Sequence, residues 1–364
     1  MLQIKLKNKG ELIKLNQFWL RDHCRCLQCY NHVTKQRKLN LLEIPEDIIA
    51  KDWQWKEDGK LLDVKWNDGH RSEYNLNFLY NSQPDKNKVR NDQRVPWTLS
   101  HILTKVNDLN FKLSDVVSSE KCVENLVKAL VQYGIVFIQE VAANVTMTEM
   151  ATRSIFPIMK TFLGEMYIIS DFSDHSDIAY SNEFLGYHTD NIYFLDPAGL
   201  ITLHCLEHTG GAGGENFFTD GLNAAYELKR SHPKFYDILT KVMVPAEYIE
   251  PGQYHKHSAP IIQTDPMTGD IIQIRLNVYD RAVFNTLPQE EMQTFYESFR
   301  KFLQIVHNPT NQWTMKLQPG TVAIIDNWRL LHGRTAYTGR RIMSGCFIQR
   351  SDFMSKARRF GIID

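Results

Sequence analysis

No apolar run in this 364-residue chain approaches a membrane span. The longest, at residues 134–138 and 321–325, stop far short of the roughly 18 residues a bilayer demands. Net charge is lacking as well: 42 basic side chains balance 42 acidic ones, so no overall field favours nucleic acid or an anionic membrane. Cysteine is sparse, six in all, and three of the six crowd together as Cys24, Cys26 and Cys29. A disulfide framework would spread its pairs along the chain. Residues 1–15 have neither the apolar core of a secretory signal nor the Arg/Ser-rich pattern of a transit peptide; they alternate Lys with Ile or Leu, as a strand does. These absences predict a cytoplasmic protein with no membrane and no nucleic-acid partner. Internal repeats and low-complexity segments are also lacking.

What is present suits one large domain preceded by a smaller module. The hydrophobic fraction, 43%, is ordinary for a protein with a substantial core. The N-terminal part reads as short strands at 2–7 and 12–15 and a hairpin, 61–66 with 72–76, turned by Asn67, Asp68 and Gly69. A polar stretch, 81–94, reads as a linker, which sets the domains at 1–95 and 110–364. Amphipathic helices are predicted at 123–133, 146–162, 222–230 and 289–306. The β-like segments are 134–138, 199–206, 216–219, 241–248, 270–276, 321–326 and 341–349. Many strands, Gly-rich turns and few helices predict a mixed, mainly β sandwich or barrel with flanking helices, not a doubly wound sheet. The glycine run 210–214 joins two of these strands and lacks a following Lys-Ser/Thr, so it does not read as a phosphate loop.

Clustered thiols in a reducing compartment read as metal ligands, whereas Cys122, Cys205 and Cys346 sit among apolar neighbours and read as packing residues. The central signal is His188-Thr189-Asp190. On a strand, residues i and i+2 share a face, so this imidazole and this carboxylate can grip one ion. His332, downstream of the apolar stretch 322–325, is the best third ligand. Two imidazoles and one carboxylate on one face of an octahedral ion leave three positions open, as an O2-activating iron(II) requires. Two of these suit the keto acid of 2-oxoglutarate and the third suits O2. The far carboxylate of that co-substrate needs a cation just beyond the distal His: Arg341, with Arg340 and Arg334 as rivals. An isolated H-x-D is usually an ordinary strand or turn feature, so the weight rests on the combination. A zinc hydrolase would need further ligands nearby, and only His204 and His208 follow His188 closely.

This pattern resembles the trimethyllysine and γ-butyrobetaine dioxygenases, a family of iron(II)- and 2-oxoglutarate-dependent hydroxylases. The matching residues begin with Trp19-Leu20-Arg21-Asp22-His23-Cys24-Arg25-Cys26, Cys29-Tyr30-Asn31-His32 and Trp66-Asn67-Asp68-Gly69-His70. They continue with Ala179-Tyr180, His188-Thr189-Asp190, Leu203-His204-Cys205-Leu206 and Asn277 with Tyr279-Asp280-Arg281-Ala282-Val283. They end with Ile325-Asp326-Asn327-Trp328-Arg329 and Leu331-His332-Gly333-Arg334. The resemblance implies a distorted double-stranded β-helix (a jelly roll) with iron on His188, Asp190 and His332. It implies 2-oxoglutarate on Arg341, with Asn216 and Arg334 beside it. Cys24, Cys26, Cys29 and His70 are similar to the family's zinc site, a closed Cys3His set and hence structural; His23 and His32 are rivals for its fourth ligand. The resemblance also implies ascorbate as reductant, a homodimer involving the N-terminal module, and a mitochondrial location as the alternative to a cytoplasmic one.

A quaternary ammonium cannot donate a hydrogen bond and is held by aromatic faces. By resemblance the cage falls on Leu163, Tyr167 and Tyr180. The family usually has an aromatic residue at the first position and Trp at the second, and Phe162 or Tyr193 could compensate. Asp177 would attract the α-ammonium of trimethyllysine and repel the bare carboxylate of γ-butyrobetaine. Its plainer reading is a solvated loop acid beside Asp171 and Asp174. Asn277 and Tyr279 are candidate contacts for the α-carboxylate. The resemblance thus implies C3 hydroxylation of Nε-trimethyllysine, the first step of carnitine biosynthesis. The alternatives are γ-butyrobetaine hydroxylation and a non-catalytic methyl-lysine-binding module.

Overall fold

The computed structural model describes residues 1–5, 12–81, 93–170 and 177–363. Its contacts divide into two units, Met1–Val89 and Arg90–Asp364. In the first, the expected hairpin forms as Leu61–Trp66 against Arg71–Asn75, with a third strand, Ala50–Lys56, at its edge. Strand alternation turns Leu62, Val64 and Trp66 inward against Leu20, Tyr74 and Leu79. Helix Gln17–Asp22 starts at Asn16, whose side chain accepts from the Trp19 amide. This core is small, the situation in which a bound metal adds most to stability. Residues 82–92 of the stretch read as a linker lie outside the described residues.

The second unit is the expected mainly β sandwich. Its larger sheet runs, edge to edge, Tyr167–Ile169, Arg340–Ile348, Leu200–Thr209, Thr321–Asp326, Ile135–Gln139 and Asn110–Lys112. The smaller sheet runs Leu185–His188, Leu330–Arg334, Asn216–Asp220 and Trp313–Met315. Helices Glu120–Tyr133 and Val145–Arg153 share the larger sheet's core, which also takes in Phe218, Leu330 and Trp313 of the smaller sheet. Helices Gly221–Ser231 and Gln289–Val306 pack with Tyr187, Phe217 and Leu331 of the smaller sheet in a second core. The helix expected at 146–162 ends at Arg153. Pro157 bars the preceding residue from helical backbone, so the apolar period beyond it belongs to an irregular segment. No helix among the described residues is long and apolar enough to cross a membrane.

Gly333 lets the smaller sheet close. A Cβ there would meet the Phe217 ring at 2.3 Å and the Leu185 carbonyl oxygen at 2.5 Å. Only glycine permits this approach of neighbouring strands.

Candidate active site

A cavity lined from both sheets gathers most of the residues the sequence singled out, including Asp177, Tyr180, His188, Asp190, Asn216, His332 and Arg341. His188 ends its strand and pairs in register with His332 on the neighbouring one. The expectation of two ligands alternating along a strand needs correcting: the strand stops at His188, and Asp190 sits in the turn that follows. Tethers therefore do what strand alternation was expected to do. Asn327, fully buried, accepts from the Asp190 amide at 2.8 Å and donates to the Asp190 carbonyl at 3.0 Å and the Ala198 carbonyl at 2.9 Å. The Thr189 amide donates to the Leu276 carbonyl at 2.6 Å, and the Thr189 hydroxyl accepts from the Leu276 amide at 3.1 Å.

His188 Nε2 lies 3.1 Å, and His332 Nε2 3.6 Å, from Asp190 Oδ1, and one donor atom from each residue lies within 4.8 Å of the others. Neighbouring donors on an octahedral ion with bonds of about 2.1 Å sit about 3 Å apart, so this set fits one face of such an ion. His188 Nδ1 lies 2.9 Å from the Gly186 carbonyl, a contact that fixes the proton there and leaves Nε2 as the donor atom. Burial opposes the charged form of His188, but the hydrogen bond and charge of Asp190 outweigh it and raise its pKa. Burial, together with the charge of His188, drives His332 down to about 3 against the pull of Asp190. His332 is accordingly a neutral imidazole, the form a metal takes.

Of the three candidate arginines, Arg340 is exposed and paired with Glu207 at 3.0 Å. Arg334 spends its donors on the carbonyls of Ile178, Ala179, Ser181 and Glu183, which makes it a clamp on the segment carrying Tyr180. Arg341 is 4% exposed, lines the cavity, and has no acidic partner among the described residues. Burial lowers its pKa. A buried cation without a counter-ion calls for an anion. Asn216, also cavity-lining, has a buried Oδ1 with no partner among the described residues.

Tyr167, Tyr180, Tyr193 and Leu163 line the same cavity. Tyr167 packs on Gly345, where a Cβ would meet its ring at 2.5 Å, and against Phe347 at 5.0 Å between centroids. Phe162 stacks instead on His255 and packs at a tilt against Tyr248. Asp177 accepts from the Ala179 amide at 2.8 Å, so it caps the turn Ile178–Tyr180; Asp171 and Asp174 lie outside the described residues. Asn277 is engaged at both ends, donating to Asp280 at 2.7 Å and accepting from the Tyr279 amide at 2.9 Å. The Tyr279 hydroxyl accepts from the Gly186 amide at 2.8 Å and keeps its own proton to donate. Asp280 itself, Asn191 and the clamp Asn327 were not singled out from sequence. The only available signal was their place in or beside matched motifs.

In the first unit, Cys24, Cys26 and Cys29 converge on His70, with their sulfurs 3.4, 3.6 and 3.6 Å from its Nε2. Burial and the charge of Arg21 lower the pKa of His70. Burial, then the charge of Cys24, raises Cys29 to about 12; crowded thiols resist ionising together unless a cation joins them. The donor set fits a tetrahedral ion. His23 faces the Trp19 carbonyl at 2.7 Å and His32 the Arg25 carbonyl at 2.8 Å, so neither joins the cluster.

Residues 98–347 match the family described as "Taurine catabolism dioxygenase TauD, TfdA family", and residues 1–97 match "Gamma-butyrobetaine hydroxylase-like, N-terminal". The chain is 34% identical to the mitochondrial trimethyllysine dioxygenase of Homo sapiens over 364 residues, 98% of this chain and 85% of that protein. It is 31% identical to a trimethyllysine dioxygenase of Meyerozyma guilliermondii, covering 97% of this chain and 92% of that one. A solved Burkholderia xenovorans structure, described provisionally as an alpha-ketoglutarate-dependent taurine dioxygenase, shares the fold with a TM-score of 0.50 at 16% identity, over 65% of this chain and 86% of that one.

Proposed function

This chain belongs to the trimethyllysine dioxygenase family, and from that premise we propose that it hydroxylates Nε-trimethyllysine at C3, the first step of carnitine biosynthesis. The observation that carries the proposal is one cavity holding a three-donor metal face, a buried arginine with no acidic partner among the described residues, and tyrosine walls. The reaction balances as trimethyllysine, 2-oxoglutarate and O2 going to 3-hydroxytrimethyllysine, succinate and CO2.

In this reading His188, Asp190 and His332 hold iron(II), which supplies the oxygen-activating chemistry when bound. Arg341 takes the far carboxylate of 2-oxoglutarate, and the Asn216 side chain lies in the same cavity for a further polar contact. Arg334 acts indirectly, by holding the segment that presents Tyr180. Tyr180 and Tyr167 face the trimethylammonium, and Tyr193 adds the aromatic surface that Leu163 lacks. Asp177 keeps its cap to Ala179 and offers its charge to the α-ammonium. Tyr279 donates toward the substrate's carboxylate, while Asn277 acts as a positioning residue. Burial keeps water from the reacting carbon, and the fixed walls supply orientation. Zinc on Cys24, Cys26, Cys29 and His70 would be structural. Ascorbate as reductant and a homodimer belong to the same proposal, on the strength of the resemblance. The mouse and human relatives are named mitochondrial, which supports the second of the two compartments considered from sequence.

Competition between trimethyllysine and γ-butyrobetaine tests the proposal. Succinate release coupled to hydroxylated trimethyllysine is expected. Coupling only to γ-butyrobetaine would replace the substrate assignment with its sister reaction.

A further inference from the structure

The cavity contains a second carboxylate beyond the metal-face acid and Asp177. Asp280 lines it and is held by Asn277 Nδ2 at 2.7 Å, and no cation pairs with it among the described residues. Asn277 is in turn fixed by the Tyr279 amide at 2.9 Å. The protein thus orients this acid without neutralising it. A separate observation points to a missing donor. Asn191 is 5% exposed and lines the same cavity; its amide nitrogen faces the Tyr193 hydroxyl at 3.4 Å, and its buried Oδ1 has no partner among the described residues. Two carboxylates and one unsatisfied amide oxygen make an acceptor set for a group with several N–H donors and a positive charge. A bare carboxylate would be repelled there, and a quaternary ammonium has no hydrogen to give.

We infer that Asp280 is a specificity-determining residue that, together with Asp177 and the Asn191 amide oxygen, receives the α-ammonium of the substrate. The inference rests on the proposed reading of the substrate as a trimethylammonium amino acid. It assigns the discrimination between an amino acid and a simple betaine to an acidic pair, not to Asp177 alone. Burial first, then the charges of Asp177 and Asp190, pushes Asp280 up to about 7 while His188 pulls it down, as expected of an acid awaiting a cation.

The test is equilibrium binding to the full chain with iron(II) and 2-oxoglutarate under anaerobic conditions. The probes are Nε-trimethyllysine and Nα-acetyl-Nε-trimethyllysine, which lacks the α-charge. Wild-type protein should prefer the free amino acid by at least about tenfold. Asp280→Asn keeps an acceptor for Asn277 Nδ2 and should reduce that preference to within about twofold, chiefly by weakening trimethyllysine. Asp280→Glu, which keeps the charge, should retain most of it. Because the readout is a ratio on one protein, a partial loss of folded material cancels. A full preference retained in Asp280→Asn, or a preference lost equally in Asp280→Glu, would overturn the inference and leave the substrate reading standing. Wild-type protein that binds neither probe would overturn both.

Discussion

At residue scale, the site depends on groups that are buried and then either tethered or left without a partner. Asp190 stands in a turn, next to Asn191 with its positive φ of 58°, and Asn327 makes up for the missing strand by gripping its main chain on both sides. Asn327→Ala should lower stability by about 1–3 kcal/mol and weaken iron binding, read by thermal melts with and without the metal. Unchanged iron affinity would show that Asp190 needs no such clamp. Arg341 shows the opposite device, a cation buried without a counter-ion among the described residues. Arg341→Met should weaken 2-oxoglutarate by about 10- to 100-fold, the value of one or two charge-assisted hydrogen bonds, while iron content stays at wild-type level. Titration of 2-oxoglutarate against the iron-loaded variant measures it.

At element scale, much was legible where one physical signal dominates. The helix Gln289–Val306 follows an apolar period, and the strand Thr321–Asp326 carries a continuous apolar run, 322–325, buried on both faces. The short strand Leu330–Arg334 was not visible as a strand, although it carries His332, because its pattern of two apolar residues then His-Gly-Arg has no period of its own. Its place is fixed by neighbours on both sides. Gly333→Ala should therefore cost about 1–3 kcal/mol through overpacking, seen as a lowered denaturant midpoint. In the N-terminal sheet, Asp63 is buried on the strand next to Arg71. The Arg71 hydrogen bond, against the cost of burial and with help from Lys56, holds its pKa well below the ordinary 3.8. A depressed folded-state pKa means the stabilisation is complete well above that ordinary value and is lost as pH falls below it. Comparing Asp63→Asn with wild type, the stability gap should be full at about pH 6 and shrink steadily below about pH 4. Chemical denaturation across that range checks the sign.

At the scale of the whole molecule, each of the two units carries a donor set that could hold a metal ion: Cys24, Cys26, Cys29 and His70 in Met1–Val89, and His188, Asp190 and His332 in Arg90–Asp364. Cysteine crowding was readable from sequence because three thiols within six residues are rare. Crowding alone did not single out a fourth donor; the resemblance pointed to His70, with His23 and His32 as rivals, and in the folded chain His70 faces the three sulfurs while His23 and His32 face carbonyls. Metal analysis of the full chain should give one zinc and one iron. Cys26→Ser should lose the zinc and keep the iron, and loss of both together would contradict two independent sites. The place of Asp280 in the cavity, with no cationic partner among the described residues, was equally hidden, because it is a property of the folded chain.

The most direct test of the central claim is isotopic. Under 18O2, wild-type protein supplied with iron(II), 2-oxoglutarate and Nε-trimethyllysine should place one labelled atom in succinate and one in 3-hydroxytrimethyllysine. Unlabelled product, or succinate formed with trimethyllysine recovered intact, would contradict the account.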